Sequence, residues 1–359
     1  MDTQLQPDTH ISPDRFKRTI LPTQQGAEAE ADHSPIVIYM ISGNPGLISY
    51  YHTFLSTLAD RLSSLCTKQD IPNQFHIYGH SLDGFEVEES SPNNGNGNGN
   101  PSTTQPCSLE EQICFVQRKL DSFIGGLEAG PRRAKVILVG HSVGSYIAME
   151  VLRRHRERSD ANSASSGAVG FDIIGGAMLF PTVVDIALSP SGRKLTSILS
   201  FVPQLALLAG IFVRILVACV PDLILQSLVR FYMQSASDEM VTATTSFIKS
   251  KRGVRQALHM AADEMQTITA DKWSDDVWGV PGAGEPLTRL FFYFGRNDHW
   301  VAERTRDDII HMRGRHVAGG PKMVVCEEGL PHAFVLKRGD TDVMATKVAG
   351  MVMEIVQRG

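Results

Sequence analysis

Residues 140–144 read Gly-His-Ser-Val-Gly, the G-x-S-x-G pattern in which a serine can attack a carbonyl carbon. The context gives the pattern its weight. Lys135-Val136-Ile137-Leu138-Val139 before it is a short β-branched run of the kind that forms a buried parallel strand, and residues 146–152 after it continue with helical periodicity. Strand, tight turn and helix together make a nucleophile elbow, with Gly140 and Gly144 where a Cβ would block the turn. Such a turn lifts the Ser142 hydroxyl above the sheet and leaves the Val143 N–H aimed where an oxyanion would form.

A serine alone is a poor nucleophile at neutral pH; it needs a base, and a carboxylate to fix the base's tautomer. The order expected along the chain is serine, acid, histidine. Asp298 follows the apolar strand-like residues 290–294, and His332 follows the short strand-like residues 322–326, so both fall in loops at strand carboxyl ends. Asp185, in the loop after the preceding strand, is the rival acid. His299 adjoins Asp298 and is the weaker choice of base. The second oxyanion donor is expected from Ser42-Gly43-Asn44-Pro45-Gly46, where Gly43 permits close approach, Asn44 can offer its N–H, and Pro45 has none to offer. Gly79-His80-Ser81-Leu82-Asp83 imitates the motif, but an acidic, Asn/Gly-rich stretch follows it instead of a helix. His80 and Ser81 are therefore expected in a loop near the mouth of the site.

The elements that must hold these residues alternate in type. Strands are expected near residues 16–21 and at 35–41, 75–78, 171–180, 287–294 and 322–326, with helices at 50–65, 303–312 and 341–357. Ser108 and Glu111 open a further helix as a capping box. This alternation predicts an α/β fold, an α/β-hydrolase-like core with a mostly parallel sheet and helices on both faces. The expected division is a polar segment 1–34, a core over 35–180, a helical apolar cap over 181–286, and the rest of the core over 287–359. Residues 90–104 are low in complexity and predict a disordered surface loop, with a second flexible loop at 159–167.

Hydrophobic content of 42% and charged content of 20% fit a globular protein, and a net charge of −5 argues against a general nucleic-acid binder. Cys66, Cys107, Cys114, Cys219 and Cys326 are scattered without C-x-x-C spacing, so reduced thiols are expected and no metal or cofactor is. The first residues show no basic region followed by an apolar core, hence no secretory signal. Residues 198–220 are nearly all apolar and about as long as a bilayer span, but Pro203, Gln204 and Arg214 interrupt them. A buried helix pair, a segment lying in a lipid monolayer, and a transmembrane span all remain open.

Taken together, these residues resemble the lipid droplet-associated hydrolase family, in a fungal type of sequence. The resemblance runs from about residue 36 to 352. It is carried by SGNPGLISYYHTFL (42–55), LVGHSVGSYIAMEVL (138–152), LFPTVVDIALSPSGRKLT (179–196), FYFGRNDHWV (292–301) and GLPHAFVL (329–336). The second and fourth motifs are shared by many α/β-hydrolases; the Asn-Pro-Gly loop and the Phe-Pro-Thr…Ser-Pro-x-Gly segment are specific. Ser42 stands where the family often has proline. The resemblance implies an α/β-hydrolase fold and serine esterase or lipid-ester hydrolase activity, with Ser142 as nucleophile, Asp298 as acid and His332 as base. It also implies a lipid-ester substrate and association with the lipid droplet monolayer or the endoplasmic reticulum surface. The other class to keep open is a lipid-surface interaction protein that retains the fold with little turnover.

Overall fold

The structure is a computed structural model that describes residues 9–22, 34–87, 105–127, 133–162, 170–202, 204–233, 236–280, 288–314 and 319–358. Among these residues eight strands form one sheet: β1 (Thr9–Ser12), β2 (Arg15–Ile20), β3 (Ile36–Ile41), β4 (Phe75–His80), β5 (Ala134–His141), β6 (Phe171–Leu179), β7 (Arg289–Phe294) and β8 (Lys322–Val325). Their order is β1-β2-β4-β3-β5-β6-β7-β8. From β4 to β8 every pairing is parallel, while β1 and β2 join the edge antiparallel. The N-terminal residues thus add a hairpin, where the sequence suggested a single strand.

β3 is apolar and buried along its whole length, as a strand covered on both faces must be, and β7 is buried as well, with Arg289 at its start paired to Glu354 Oε1 at 2.7 Å. Helix α1 (His52–Gln69) returns β3 to β4 on one side. Helix α2 (Leu109–Gly125) then carries the chain across to β5 on the other side, and α3 (Val143–Asn162) leads on to β6. Right-handed crossovers in opposite directions put α1 on one face of the sheet and α2 and α3 on the other. The C-terminal helix α10 (Arg338–Arg358) packs beside α1. The strand order reverses between β3 and β5, and crevices for ligands form at the carboxyl ends flanking such a reversal. The expected α/β-hydrolase architecture is what the chain adopts.

Between β6 and β7 the chain leaves the sheet, and its described residues there form the helices α4 (Pro190–Phe201), α5 (Leu205–Cys219), α6 (Asp222–Met233), α7 (Asp238–Lys249) and α8 (Gly253–Thr267). Helix α9 (Glu303–Arg313) then links β7 to β8. The apolar stretch 198–220 is not one helix. The helices ending at Phe201 and starting at Leu205 are bent by 89° to one another, and no single helix among the described residues is long and apolar enough to cross a membrane.

Several expectations need adjustment. The helix expected from residue 50 begins two residues later, after a 3-10 turn at Ile48–Tyr51. His80 closes β4 and is not a loop residue; Ser81 is fully buried, its hydroxyl donating to Asp14 Oδ1 at 3.0 Å and accepting from the Ile48 N–H. Neither lines the cavity described below. Ser108 does cap α2: its Oγ accepts from the Glu111 N–H while its own N–H donates to Glu111 Oε2 at 2.7 Å. The low-complexity residues 90–104, and 163–167 of the second expected loop, lie outside the described residues; residues 159–162 close α3.

Candidate active site

The site is built where β5 meets α3. Ser142 takes a left-handed conformation with φ 55, a geometry that costs an L-residue on the order of 1–3 kcal/mol and persists only where its surroundings enforce it. They do so through backbone packing. A Cβ on Gly140 would lie 2.6 Å from the Gly144 carbonyl oxygen, and one on Gly144 would lie 2.3 Å from the Ile41 oxygen. The Ser142 N–H donates to Leu179 O at 2.9 Å and its carbonyl receives the Ser145 N–H, which pins the turn from both sides.

Two other strand ends bring the partners. Beyond β7, the loop at residues 295–300 holds Asp298, whose Oδ1 accepts the Trp300 N–H at 2.8 Å. Beyond β8, His332 reaches back between them. Its Nδ1 lies 2.7 Å from Asp298 Oδ2 and its Nε2 lies 2.9 Å from Ser142 Oγ. A carboxylate can only accept, so Nδ1 carries the hydrogen and Nε2 is left to accept the serine proton. Asp298 is 8% exposed, so burial shields its carboxylate from bulk water, while His332 faces the cavity. The carboxylate in contact with His332 is Asp298. Asp185 sits in the loop after β6, its N–H bonded to Thr269 O, and His299 points outward, exposed.

Asn44 flanks Ser142 on the other side, after β3. A Cβ on Gly43 would meet Ser142 Cβ and His141 Nδ1 at 3.1 Å, so the loop runs hard against the nucleophile. The Gly43 N–H is already engaged, donating to the Tyr51 hydroxyl at 2.9 Å. Val143 begins α3 with its side chain buried.

Two residues that the sequence did not single out brace this arrangement. His141 Nε2 lies 2.9 Å from the His332 carbonyl oxygen, so it donates there, and its Nδ1 accepts the Tyr51 hydroxyl at 2.6 Å. Burial, with His332 nearby, pushes His141 down to about 3, and it is neutral at working pH. A chain of bonds therefore runs from the Gly43 loop through Tyr51 and His141 to the backbone of His332. Ninety positions separate Tyr51 from His141, so no local pattern announced the contact; only the histidine's place inside the motif hinted at it.

Above Ser142 opens a cavity of about 560 Å³, with Ile186, Leu195, Met233, Leu258, Trp300 and Leu336 among its walls. That volume is in the ordinary range for a small-molecule site. Among the described residues, no group of histidine, cysteine, aspartate or glutamate side chains is arranged to hold a metal ion.

The fold has relatives. Solved structures of similar fold include a peroxisomal α/β-hydrolase from Saccharomyces cerevisiae, with a TM-score of 0.52, 10% identity, and coverage of 100% of this chain and 87% of that one. Another is juvenile hormone epoxide hydrolase from the silkworm Bombyx mori, with a TM-score of 0.51, 12% identity, and 96% and 74% coverage. Proteins named lipid droplet-associated hydrolase are similar along most of their length. The Gallus gallus protein is 26% identical over 88% of this chain and 85% of its own, and the Homo sapiens protein 24% identical over 84% and 80%. The profile of the lipid-droplet associated hydrolase family matches residues 34–335, and the chain belongs to that family of α/β-fold hydrolases.

Proposed function

We propose that this hydrolase cleaves carboxylic esters of lipids, sterol esters or acylglycerols, through a Ser142–His332–Asp298 triad and an acyl-enzyme. The hydrogen-bonded chain from Asp298 through His332 to Ser142, on the floor of an apolar cavity, carries the reading. His332 Nε2 takes the Ser142 proton as Oγ attacks the ester carbonyl, and Asp298 stabilises the imidazolium that results. The Val143 and Asn44 N–H groups receive the oxyanion. His332 returns the proton to the departing alcohol. Water, activated by the same imidazole, then releases the acid.

The cap supports a lipid substrate. Leu195 of α4 and Tyr232 and Met233 of α6 reach the cavity rim, while the same helices expose Phe201, Leu223 and Phe231, which are 85%, 78% and 80% exposed. An apolar face of this extent marks a surface that meets another apolar phase. A cavity rimmed by that face would receive a lipid directly from a monolayer. With relatives that are named for lipid droplets, this favours work at the droplet or endoplasmic reticulum surface, from the cytosolic side.

Labelling with a fluorophosphonate probe tests the chemistry. The wild-type protein should label at Ser142, and Ser142→Ala should abolish both labelling and esterase activity while the protein stays folded. Labelling that survives the substitution would place the nucleophile elsewhere. A wild-type protein that binds droplets but takes up no probe would instead be a lipid-surface protein without turnover.

A further inference from the structure

Glu264 takes no part in the chemistry above, yet it stands in the same cavity as Ser142 and His332. Helix α8 brings it down from the cap on a face it shares with buried Gln256, Met260 and Met265, and the residue is only 4% exposed. Its Oε1 accepts from Asn44 Nδ2 at 3.0 Å. The same amide nitrogen donates to the backbone oxygen of Ala257 at 2.9 Å, two turns earlier on α8. Both amide hydrogens of Asn44 are thus used. The loop after β3 is tied to the cap at two points across more than two hundred residues of sequence.

The surroundings of this carboxyl are uncharged or acidic. Asp263 precedes it on α8, and Asp263 Oδ2 accepts the Leu109 N–H from α2. From the other elements, Tyr50, Tyr51, Tyr232, His141 and His332 line the cavity, and no lysine or arginine does so among the described residues. Burial, with the nearby Asp263 charge, therefore pushes the Glu264 acid up to about 8 in spite of the Asn44 hydrogen bond.

We propose that Glu264 is a positioning residue that acts in its neutral form, holding the Asn44 loop ready for the oxyanion without setting a second negative charge beside it. The inference rests on the ester-hydrolase reading above, in which the Asn44 N–H stabilises the oxyanion. A protonated acid and a glutamine can both accept from Asn44; a carboxylate can too, but it would oppose the charge that develops on the substrate oxygen.

The test is the pH dependence of kcat and KM on a short soluble ester, p-nitrophenyl butyrate, for the wild type, Glu264→Gln, Glu264→Ala and Asn44→Ala. In the wild type, kcat should fall above about pH 8, with KM nearly constant. A single ionisation makes that fall approach about tenfold per pH unit. Glu264→Gln should keep the neutral-pH rate and lose the alkaline fall. Glu264→Ala should lose on the order of tenfold to a hundredfold in kcat at all pH, as a displaced donor loop would. Combining it with Asn44→Ala should cost little more than either change alone. The proposal is overturned if Glu264→Gln keeps the wild-type alkaline fall, or if a folded Glu264→Ala keeps the wild-type kcat. Should Glu264→Ala fail to fold, the near-isosteric glutamine decides. A wild type that fluorophosphonate does not label would sink the ester-hydrolase reading itself, whereas a labelled wild type with unchanged variants would sink only the role of Glu264.

Discussion

At the residue scale, two acids competed for one histidine, and the contact distance separates them. Asp298 lies 2.7 Å from His332 Nδ1 and is nearly buried, so its removal should free the imidazole to take the wrong tautomer. Asp298→Asn is expected to lower kcat by about 10³- to 10⁴-fold, while Asp185→Asn stays near wild type. Steady-state rates on a soluble ester decide it, and the reverse ranking would reassign the acid. Ser142, Asp298 and His332 were legible in the sequence because each follows a strand, and strand ends are where a parallel sheet gathers its chemistry. Glu264 and Tyr51 were not. Their contacts, to Asn44 and His141, cross 220 and 90 positions and depend on how the cap and α1 settle on the sheet. A glutamate on the buried face of α8, among Gln256, Met260 and Met265, was the one trace that helical periodicity could have shown.

At the element scale, the cap divides its helices between two tasks. Helix α8 packs against α4, α5 and α7 and also reaches α2, so it is the inner helix of the group. Helix α5 is the outer one: its buried residue is Gly210, where an added Cβ would lie 3.0 Å from Arg255 on α8, and Leu208, Ile211, Phe212 and Ile215 are exposed. From the sequence alone, residues 198–220 could be a buried pair, an interfacial segment or a span, because hydropathy records composition and not the partner that covers it. The bend between α4 and α5 and the exposure of α5 favour the interfacial reading. Each aliphatic side chain moved into lipid contributes roughly 1.5–3 kcal/mol, so a few of them dominate binding. Replacing Leu207, Leu208, Ile211 and Phe212 with serine should release the protein from droplets or phospholipid-coated oil. Hydrolysis of a short soluble ester should hardly change, because none of the four lines the cavity. Unaltered binding in a flotation assay would place the lipid contact elsewhere.

At the scale of the whole molecule, burial of ionisable groups limits the pH range in which the fold holds. Burial pushes His141 down to about 3 and His52, His80 and His155 down to about 4, against 6.5 for an exposed imidazole. Between those values the unfolded chain binds protons that the folded one refuses, so stability is lost as pH falls from 6.5 toward 4. Two buried carboxyls act in the opposite sense. Glu86 is pushed up to about 7 and Glu264 to about 8, mainly by burial, against 4.5 in an exposed chain. The folded state keeps protons there that the unfolded chain has shed, and stability is lost as pH rises from 4.5 toward 8. Four histidines outweigh two carboxyls below 6.5, and above it only the carboxyls remain. The melting temperature should therefore peak close to pH 6.5 and decline on both sides. Glu264→Gln should flatten the alkaline decline and leave the acid one in place. A melting temperature that climbs steadily from acid to pH 9 would show that these groups are solvated in the folded protein.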